Sequence, residues 1–291
     1  MLETIQKDFE MVLNKFIDST SPFNELISYA TLPAGKLFRP QLVYALANDL
    51  HAFQEDHKLL ASAIEVHHAY SLVHDDLPSM DNDDMRRGKL SHHKKFGEWK
   101  AILTGDALLN LSFEILSNIQ HEKNIEIIKS FASLMGQSGL ILGQYLDLSH
   151  ENQSFEKLCQ LHSLKTGNLI SFSLTASLTL TEKDHLYEQI NQLGQSIGLI
   201  FQLIDDLSEL NEDYDKHEQD INAFLNFNSS EVEKRVLDEN EKIIQICNEN
   251  NLTSIKNMFE AYKYKMINNL NHINYEVNNI NLSDIKRNLL N

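Results

Sequence analysis

The scarcity of residues that form tight turns constrains the fold of this chain most strongly. The 291 residues include ten glycines and four prolines, and no glycine follows Gly198. Folds made of many short strands need such residues at regular intervals, so helices are favoured. Apolar residues also recur at alternating steps of four and three, which is the spacing of a buried helical stripe. Two such stripes comprise Leu59, Ala63, Val66, Tyr70 and Val73, and Leu193, Ile197, Ile200, Ile204 and Leu207. We therefore predict an all-α protein without a convincing β-strand.

The chain shows no linker long enough to divide it and no short-period repeat. Its hydrophobic content of 42% is sufficient for one large core. We predict a single helical domain over residues 1–291, with polar surface helices from about Ser229 onward.

Charge and cysteine content bear on partners and location. A formal net charge of −17 would repel nucleic acid and anionic membrane surfaces, so we expect neither as a partner. The two cysteines, Cys159 and Cys247, are too few for a disulfide framework. We find neither the basic, apolar start of a signal peptide nor an apolar run that approaches a bilayer span. These features predict a cytoplasmic protein without stable membrane insertion.

The segment HDDLPSMDNDDMRRGK at residues 74–89 is the strongest signal for chemistry. Its aspartates would repel one another unless cations neutralised them, and magnesium commonly bridges protein carboxylates to substrate phosphates. Asp81 would lie about 240° around a continued helix from Asp75, so a turn at Pro78 is needed to bring the two carboxylates together. Arg86 and Arg87 follow, and their guanidinium groups suit phosphate oxygens. The alternative interpretation is a solvated charged loop.

A second acidic set, DDLSE at residues 205–209, lies within an apolar helical pattern. Asp205 and Glu209 are one helical turn apart and share a face, where they could bind a further cation. Taken alone, such a set is more often an exposed helix face. Two carboxylate clusters on opposing helices favour a metal site inside a bundle, although neither has the Glu-x-x-His pattern of a di-iron site.

Basic residues before and between the acidic sets complete the pattern. GKLFRP at residues 35–40 offers Lys36 and Arg39, and KTG at residues 165–167 offers Lys165 and Thr166. The first of these segments is not a P-loop, because the other glycines and the Ser or Thr of that motif are missing. His68 lies in a helix that is otherwise buried, where a hydrogen-bonded core histidine is the more common interpretation.

In this order the motifs closely resemble those of the polyprenyl (isoprenyl) diphosphate synthases, and among them the bacterial farnesyl diphosphate synthases. The resemblance extends from about residue 30 to residue 210. It includes GKLFRP, HAYSLVHDDLPSMDNDDMRRG, FGEWKAILTGDALL, GQYLD, KTGNLISF and FQLIDD. It implies the isoprenoid synthase fold, a bundle of mostly antiparallel helices around a central apolar cavity, usually in a homodimer.

The resemblance also implies a role for individual residues. Several magnesium ions, bound with the allylic diphosphate, would be held by Asp75, Asp76, Asp81, Asp147, Asp205, Asp206 and Glu209. The allylic substrate would contact Arg86, Lys165, Thr166, Gln202 and Lys216. The diphosphate of isopentenyl diphosphate would contact Lys36, Arg39, His68 and Arg87, and Gln144 matches a polar position near the reacting carbons. Direct catalytic roles are implied for Asp75, Asp76, Arg86, Lys165, Thr166, Gln202 and Asp205.

The implied reaction is a prenyl transfer. An allylic carbon–oxygen bond ionises, the double bond of isopentenyl diphosphate attacks the carbocation, and a proton is lost, so no nucleophilic side chain is needed. Tyr70 and Ser71 match positions that set product length, and Tyr70 would lie about 7.5 Å below Asp75 along the helix axis. In this family an aromatic residue there, together with the two extra residues in the motif DDLPSMD at residues 75–81, implies farnesyl diphosphate, unless Tyr70 is ordinary core packing. The alternatives are a geranylgeranyl or longer-chain synthase, or a poorly active subunit that binds isoprenoid diphosphates.

The sequence departs from the family pattern after Asp206. The second motif ends in Glu209 where aspartate is usual, and the segment that follows is shortened, with the single lysine Lys216. Asp220 stands near the place where another lysine is expected. Weaker binding of the allylic substrate, or weaker activity, is the consequence this departure implies.

Overall fold

The computed structural model describes residues 1–149, 154–181, 183–208, 210, 222–269 and 287. Its regular structure is almost entirely helical, which confirms the predicted fold class. A π-helical segment at Ser163–Gly167 joins α9 to α10, and a 3-10 turn at Asp184–Leu186 precedes α11. The α-helices are α1 (Leu2–Phe16), α2 (Phe23–Thr31), α3 (Phe38–Asp49), α4 (Asp56–Asp75), α5 (His92–Phe96), α6 (Glu98–Ser117), α7 (Asn124–Met135), α8 (Leu140–Ser149), α9 (Phe155–His162), α10 (Asn168–Thr179), α11 (Tyr187–Ser208), α12 (Ala223–Asn226), α13 (Ser229–Glu249) and α14 (Thr253–Asn269).

The chain forms two compact units. Unit 1 comprises Met1–Ser130 and Thr179–Glu182, and unit 2 comprises Phe131–Leu178 and Lys183–Asn291. The organisation as a single domain stays a prediction.

Helix α4 lies at the centre of unit 1, where it packs against α1, α2, α3 and α6. The predicted stripe is confirmed on this helix, with Leu59 half-buried and the other four members buried. Its other faces are buried as well, so α4 is surrounded by neighbours rather than half exposed. Close approach to α6 requires a small residue there, because a Cβ atom on Gly105 would collide with the ring of His74.

Helix α11 lies at the centre of unit 2, where it packs against α9, α12, α13, α14 and the π-helical segment. All five members of the predicted stripe on α11 are buried. Helices α13 and α14 confirm the predicted helices of the Asn-rich region between Ser229 and Asn269. Beyond Asn269 that prediction falls almost entirely outside the described residues. Helix α14 contributes Phe259 to the core, where its ring stacks on Phe201 of α11 at a centroid distance of 6.4 Å.

A short antiparallel hairpin, β1 (Met85–Arg86) and β2 (Lys89–Leu90), is the strand pairing found among the described residues. The sequence did not predict it. Its two turn residues have positive φ angles, 52° at Arg87 and 75° at Gly88, as in hairpin turns whose twist matches that of the strands. The hairpin therefore presents Arg87 at its tip and Arg86 on the strand before it.

One stretch, Asn124–Ser149, is long and apolar enough to cross a membrane by length and composition. The prediction that no apolar run approaches a bilayer span is therefore wrong for this stretch. A single helix of this kind is weak evidence for insertion, because core helices of soluble proteins have the same length and composition. It corresponds to α7, α8 and the turn between them.

Candidate active site

In unit 1 the acidic segment folds back over the end of α4, as the sequence predicts. Helix α4 ends at Asp75, and the backbone N–H of Asp81 donates to the carbonyl of Asp75 at 2.9 Å. A further bond from Asn82 N to Leu77 O at 3.1 Å closes the turn. Asp75 and Asp81 are both half-buried, and this turn brings their backbones together.

Asp76 lies differently from its two neighbours, because it is only 2% exposed and is paired with Arg86. Its Oδ1 accepts hydrogen bonds from Arg86 Nε at 2.7 Å and Nη2 at 2.6 Å. Burial raises the pKa of Asp76, although the hydrogen bond and charge of Arg86 oppose the rise. Of the three aspartates predicted to bind magnesium in this motif, Asp76 thus holds the arginine predicted to contact the allylic diphosphate.

The GKLFRP segment and the hairpin meet in unit 1. A Cβ atom on Gly35 would lie 2.7 Å from Arg87 Cζ, so the glycine leaves the space that the guanidinium occupies. Arg39 is half-buried, and its Nε is buried without a hydrogen-bond partner among the described residues. Burial lowers the pKa of Arg39 to about 10, which keeps it protonated at neutral pH. Lys36 is exposed beside them.

His68 lies on α4 within reach of these charges. Burial, reinforced by the positive charges of Arg39 and Arg87, lowers its pKa well below the ordinary value of 6.5. The ring is therefore neutral at physiological pH and can serve a ligand only as a neutral hydrogen-bonding group. Sequence reasoning overlooked a buried carboxylate in the same region, Glu65, whose one signal was a charged residue inside a helix that is otherwise apolar.

The two residues predicted to set product length lie on α4. Tyr70 is buried, with its ring 4.8 Å from that of His67 and 5.3 Å from that of His74 between centroids. The hydroxyl of Ser71 donates to His68 O at 3.0 Å, within the same helix. An aromatic ring is therefore held firmly one turn and a half below Asp75, with core packing still an alternative role.

In unit 2 the KTG segment forms the π-helical turn between α9 and α10. Glycines permit close packing around it. A Cβ atom on Gly198 of α11 would lie 2.6 Å from Gly167 Cα, and one on Gly143 of α8 would collide with the backbone of Lys165. Single π-turns inside α-helices are often found at functional sites.

The side chains of this segment are paired with the predicted residues of α8 and α11. Lys165 Nζ forms an ion pair with the buried carboxylate of Asp147. The hydroxyl of Thr166 donates to Gln202 Oε1. Gln144 lies half-buried on α8. The structure thus brings four of the predicted residues together as two pairs, which the sequence did not predict, and it gives Asp147, predicted as a metal ligand, a lysine partner.

The second acidic set divides in the same way as the first. Asp205 is exposed in the last turn of α11, whereas Asp206 is 6% exposed. Asp206 Oδ2 accepts from Ala223 N at 2.8 Å and lies 3.6 Å from His162 Nε2, and its carbonyl accepts from Asn222 Nδ2 at 2.7 Å. Asp206 therefore fastens the end of α11 to the start of α12. Glu209 and Lys216 lie outside the described residues.

The exposed and half-buried carboxylates suit magnesium chemically. Among the described residues, no group of three or more His, Cys, Asp or Glu side chains is close enough to hold a metal by itself. Magnesium in phosphate sites commonly takes one or two carboxylates and completes its octahedron with water and substrate oxygens. Asp75 and Asp81 in unit 1, and Asp205 in unit 2, offer hard oxygen donors of this kind, so the residues of each unit suit an ion that a diphosphate also binds.

The chain matches known proteins over most of its length. Residues 20–229 match the polyprenyl synthetase family model. Farnesyl diphosphate synthase of Micrococcus luteus is 36% identical over 237 residues, which cover 78% of this chain and 81% of that protein. A geranyltransferase structure from Legionella pneumophila has a TM-score of 0.77 at 29% identity, covering 92% of this chain and 94% of that one.

A second structure, geranyltransferase from Helicobacter pylori complexed with magnesium and isoprenyl diphosphate, has a TM-score of 0.71 at 31% identity. It covers 89% of this chain and 97% of that one. The matched residues include both aspartate-rich segments, the GKLFRP segment and the KTG segment. The chain is therefore a member of the polyprenyl synthetase family.

Proposed function

We propose that the protein is a magnesium-dependent farnesyl diphosphate synthase that condenses isopentenyl diphosphate with dimethylallyl and geranyl diphosphates. The acidic turn carries the proposal, because it joins the carboxylates of Asp75 and Asp81 to the Asp76–Arg86 pair within one short segment. Metal ligands and a phosphate-binding guanidinium are thereby contiguous, as departure of a diphosphate requires. The names of the matched farnesyl diphosphate synthase and geranyltransferases support the same reaction.

The mechanism assigns binding and charge stabilisation to the side chains. Arg86, Lys165 and Thr166 bind oxygens of the allylic diphosphate, and their positive charges and donors stabilise the negative charge that develops as the carbon–oxygen bond breaks. Asp75 and Asp81 of unit 1, and Asp205 of unit 2, would each hold magnesium, which would supply Lewis-acid stabilisation of the leaving group. Gln202 holds Thr166 through its hydrogen bond, and Asp147 holds Lys165.

The second substrate is held by the other basic group. Arg39, Arg87, Lys36 and the neutral ring of His68 bind the diphosphate of isopentenyl diphosphate. Its double bond attacks the allylic carbocation to form the new carbon–carbon bond, and a proton then leaves to the released diphosphate. Apolar surroundings exclude the water that would otherwise capture the cation. No side chain acts as a nucleophile.

An assay of the purified chain tests this function. With magnesium, isopentenyl diphosphate and either primer, we expect farnesyl diphosphate, and chelation of the metal should abolish its formation. Asp75→Asn and Asp205→Asn should each reduce kcat by at least about a hundredfold, the order of magnitude for losing one charge-stabilising group. Complete absence of condensation by the unmodified chain would favour the alternative, a subunit that binds isoprenoid diphosphates without elongating them.

Product length depends on Tyr70 in this proposal. Tyr70→Ala removes the ring below Asp75 and should shift the products to twenty carbons and longer, as measured by chromatography of the dephosphorylated alcohols. Tyr70→Phe keeps the ring and should keep the fifteen-carbon product. If Tyr70→Ala leaves the chain length unchanged, Tyr70 is core packing and the farnesyl assignment loses its structural basis.

We also propose that the enzyme is a homodimer in the cytosol. Helix α6 exposes Trp99, Ile102 and Leu103, which share one helical face because they are spaced three and four residues apart. A second copy of the chain would remove this apolar face from water. Within the described part of the chain neither Cys159 nor Cys247 forms a disulfide, as suits a reducing compartment.

A further inference from the structure

Glu65 is a buried charged group to which the proposed mechanism gives no role. It lies on α4, ten residues before Asp75, and is 4% exposed. A carboxylate at such a site destabilises the fold unless cations compensate it. Arg87 Nη2 lies 3.7 Å from Glu65 Oε1. Burial raises the pKa of Glu65, and the charges of Arg87 and Arg39 oppose this rise, so both arginines act electrostatically on the carboxylate.

The two arginines need an anion between them when no ligand is present. Each carries a full positive charge at neutral pH, and the Nε of Arg39 is buried without a hydrogen-bond partner among the described residues. The charge of Arg87 disfavours protonation of Arg39, whereas that of Glu65 favours it. Gly35 leaves room for the Arg87 guanidinium at this place but supplies no charge to keep it there.

We propose that Glu65 is a positioning residue, the shared anion that holds Arg39 and Arg87 together to receive the diphosphate of the non-allylic substrate. This inference rests on the proposed function for the identity of that substrate. Without the carboxylate, the two guanidinium groups repel each other, and Arg87 moves towards solvent because its side chain is already partly exposed. Binding of the diphosphate must then bring Arg39 and Arg87 together against their repulsion, which weakens the affinity for the substrate.

The kinetic test compares three variants on the same helix. Glu65→Gln keeps the shape of the side chain and removes its charge, so KM for isopentenyl diphosphate should rise about tenfold. The KM for geranyl diphosphate and kcat at saturation should stay close to wild type. Glu65→Asp keeps the charge on a shorter stem and should give an intermediate KM. Ser62→Ala is the matched control, since its hydroxyl donates to Lys58 O of the same helix.

A double-mutant cycle tests whether Glu65 acts through the arginine. Adding Glu65→Gln to Arg87→Gln should change KM for isopentenyl diphosphate less than twofold, because the repulsion that Glu65 relieves is already absent. Additive effects of the two substitutions would overturn the inference. The inference would also be overturned if KM for isopentenyl diphosphate in Glu65→Gln were equal to or below the wild-type value. In that case the main effect of Glu65 would be to repel the diphosphate, not to hold the arginines in place.

Binding of inorganic pyrophosphate without magnesium, measured by calorimetry, separates this inference from the proposed function. If the wild type binds pyrophosphate but does not condense substrates, the proposed function fails. The pyrophosphate affinity of Glu65→Gln, compared with that of the wild type, still tests whether Glu65 positions the two arginines. Circular dichroism checks the fold of each variant. If Glu65→Gln does not fold, Glu65→Asp decides: about threefold weaker pyrophosphate binding supports the inference, and unchanged binding overturns it.

Discussion

The pairs Asp75–Asp76 and Asp205–Asp206, at the ends of α4 and α11, each contain one accessible and one buried aspartate. Asp76 binds Arg86 and Asp206 binds the backbone of Ala223, whereas Asp75 is half-buried and Asp205 is exposed. Adjacent residues on a helix differ by about 100° in direction, so two neighbouring carboxylates seldom serve the same ligand. One member of each pair is thus accessible from solvent, while the other fixes the polypeptide that follows.

A buried carboxylate in unit 2 gives a pH prediction at the same scale. Glu239 accepts hydrogen bonds from Ser196 at 2.6 Å, Arg235 at 3.1 Å and Lys242 at 2.8 Å. Burial is the largest single effect and raises its pKa, but the hydrogen bonds from Lys242 and Ser196, together with the charges of Lys242 and Arg235, outweigh burial and lower the pKa below its ordinary value of 4.5. The ionised carboxylate therefore stabilises the fold above about pH 4.5, and that stability is lost as pH falls through the folded-state pKa.

Glu239→Gln should lower the free energy of unfolding by roughly 2 kcal/mol at neutral pH. The difference in the free energy of unfolding between wild type and Glu239→Gln should narrow below about pH 4.5, where the carboxyl group of Glu239 is protonated in the unfolded chain as well. Urea midpoints measured across pH 3 to 7 check this. Glu241→Gln, at an exposed position on the same helix, is the control and should change little. Parallel pH profiles for wild type and Glu239→Gln would contradict the assignment.

Among the elements, the π-helical segment depends on glycines contributed by its neighbours. Gly143 of α8 and Gly198 of α11 contact the backbone of this segment where a side chain would collide. The segment presents Lys165 towards Asp147 and Thr166 towards Gln202. Because α8 and α11 each approach the π-helical segment so closely, backbone packing rather than flexible loops determines the positions of the Lys165 and Thr166 side chains.

Gly198→Ala tests this arrangement. Alanine favours an α-helix by about 1 kcal/mol over glycine, yet the added Cβ would lie 2.6 Å from Gly167 Cα, so the segment must shift. We expect a net loss of about 1 to 3 kcal/mol in stability and at least a tenfold fall in kcat, because small displacements of catalytic groups are costly. Gly194→Ala is the matched control, since its Cβ would instead collide with Ser171 of α10. It should lose stability to a similar degree with a smaller loss of kcat.

At the scale of the whole molecule, the protein and its proposed diphosphate substrates are both negatively charged. A chain with a formal net charge of −17 repels anionic substrates at long range, so affinity must come from the few local cations and from magnesium. Higher ionic strength screens the long-range repulsion, and the buried contacts at Arg39 and Lys165 are screened less.

The proposed homodimer is a prediction at this scale. Light scattering should give a mass about twice the 33.5 kDa of one chain. Ile102→Glu with Leu103→Glu places two charges on the exposed apolar face of α6 and should shift the protein to monomers, because burying unpaired carboxylates is unfavourable. Met11→Glu, at an exposed apolar position on α1, is the control and should leave the mass unchanged. A wild-type protein that runs as a monomer would contradict the proposal.

The sequence by itself determined the helical fold, because glycine scarcity and the apolar stripes of α4 and α11 are local properties of the chain. It also predicted the turn that returns Asp81 to Asp75, since a proline inside a helical pattern leaves few alternatives. It did not predict the hairpin at Met85–Leu90, where Arg87 and Gly88 adopt positive φ angles.

Only the tertiary structure decided which charged groups are buried and with what they pair. Asp76, Asp206 and Glu65 meet their partners because segments that are separate in the sequence pack together. Residue type alone does not determine this packing. A carboxylate looks the same in sequence whether it faces water, a metal or an arginine. Burial in a low-dielectric interior makes the difference, because it turns a modest surface attraction into an interaction that fixes position.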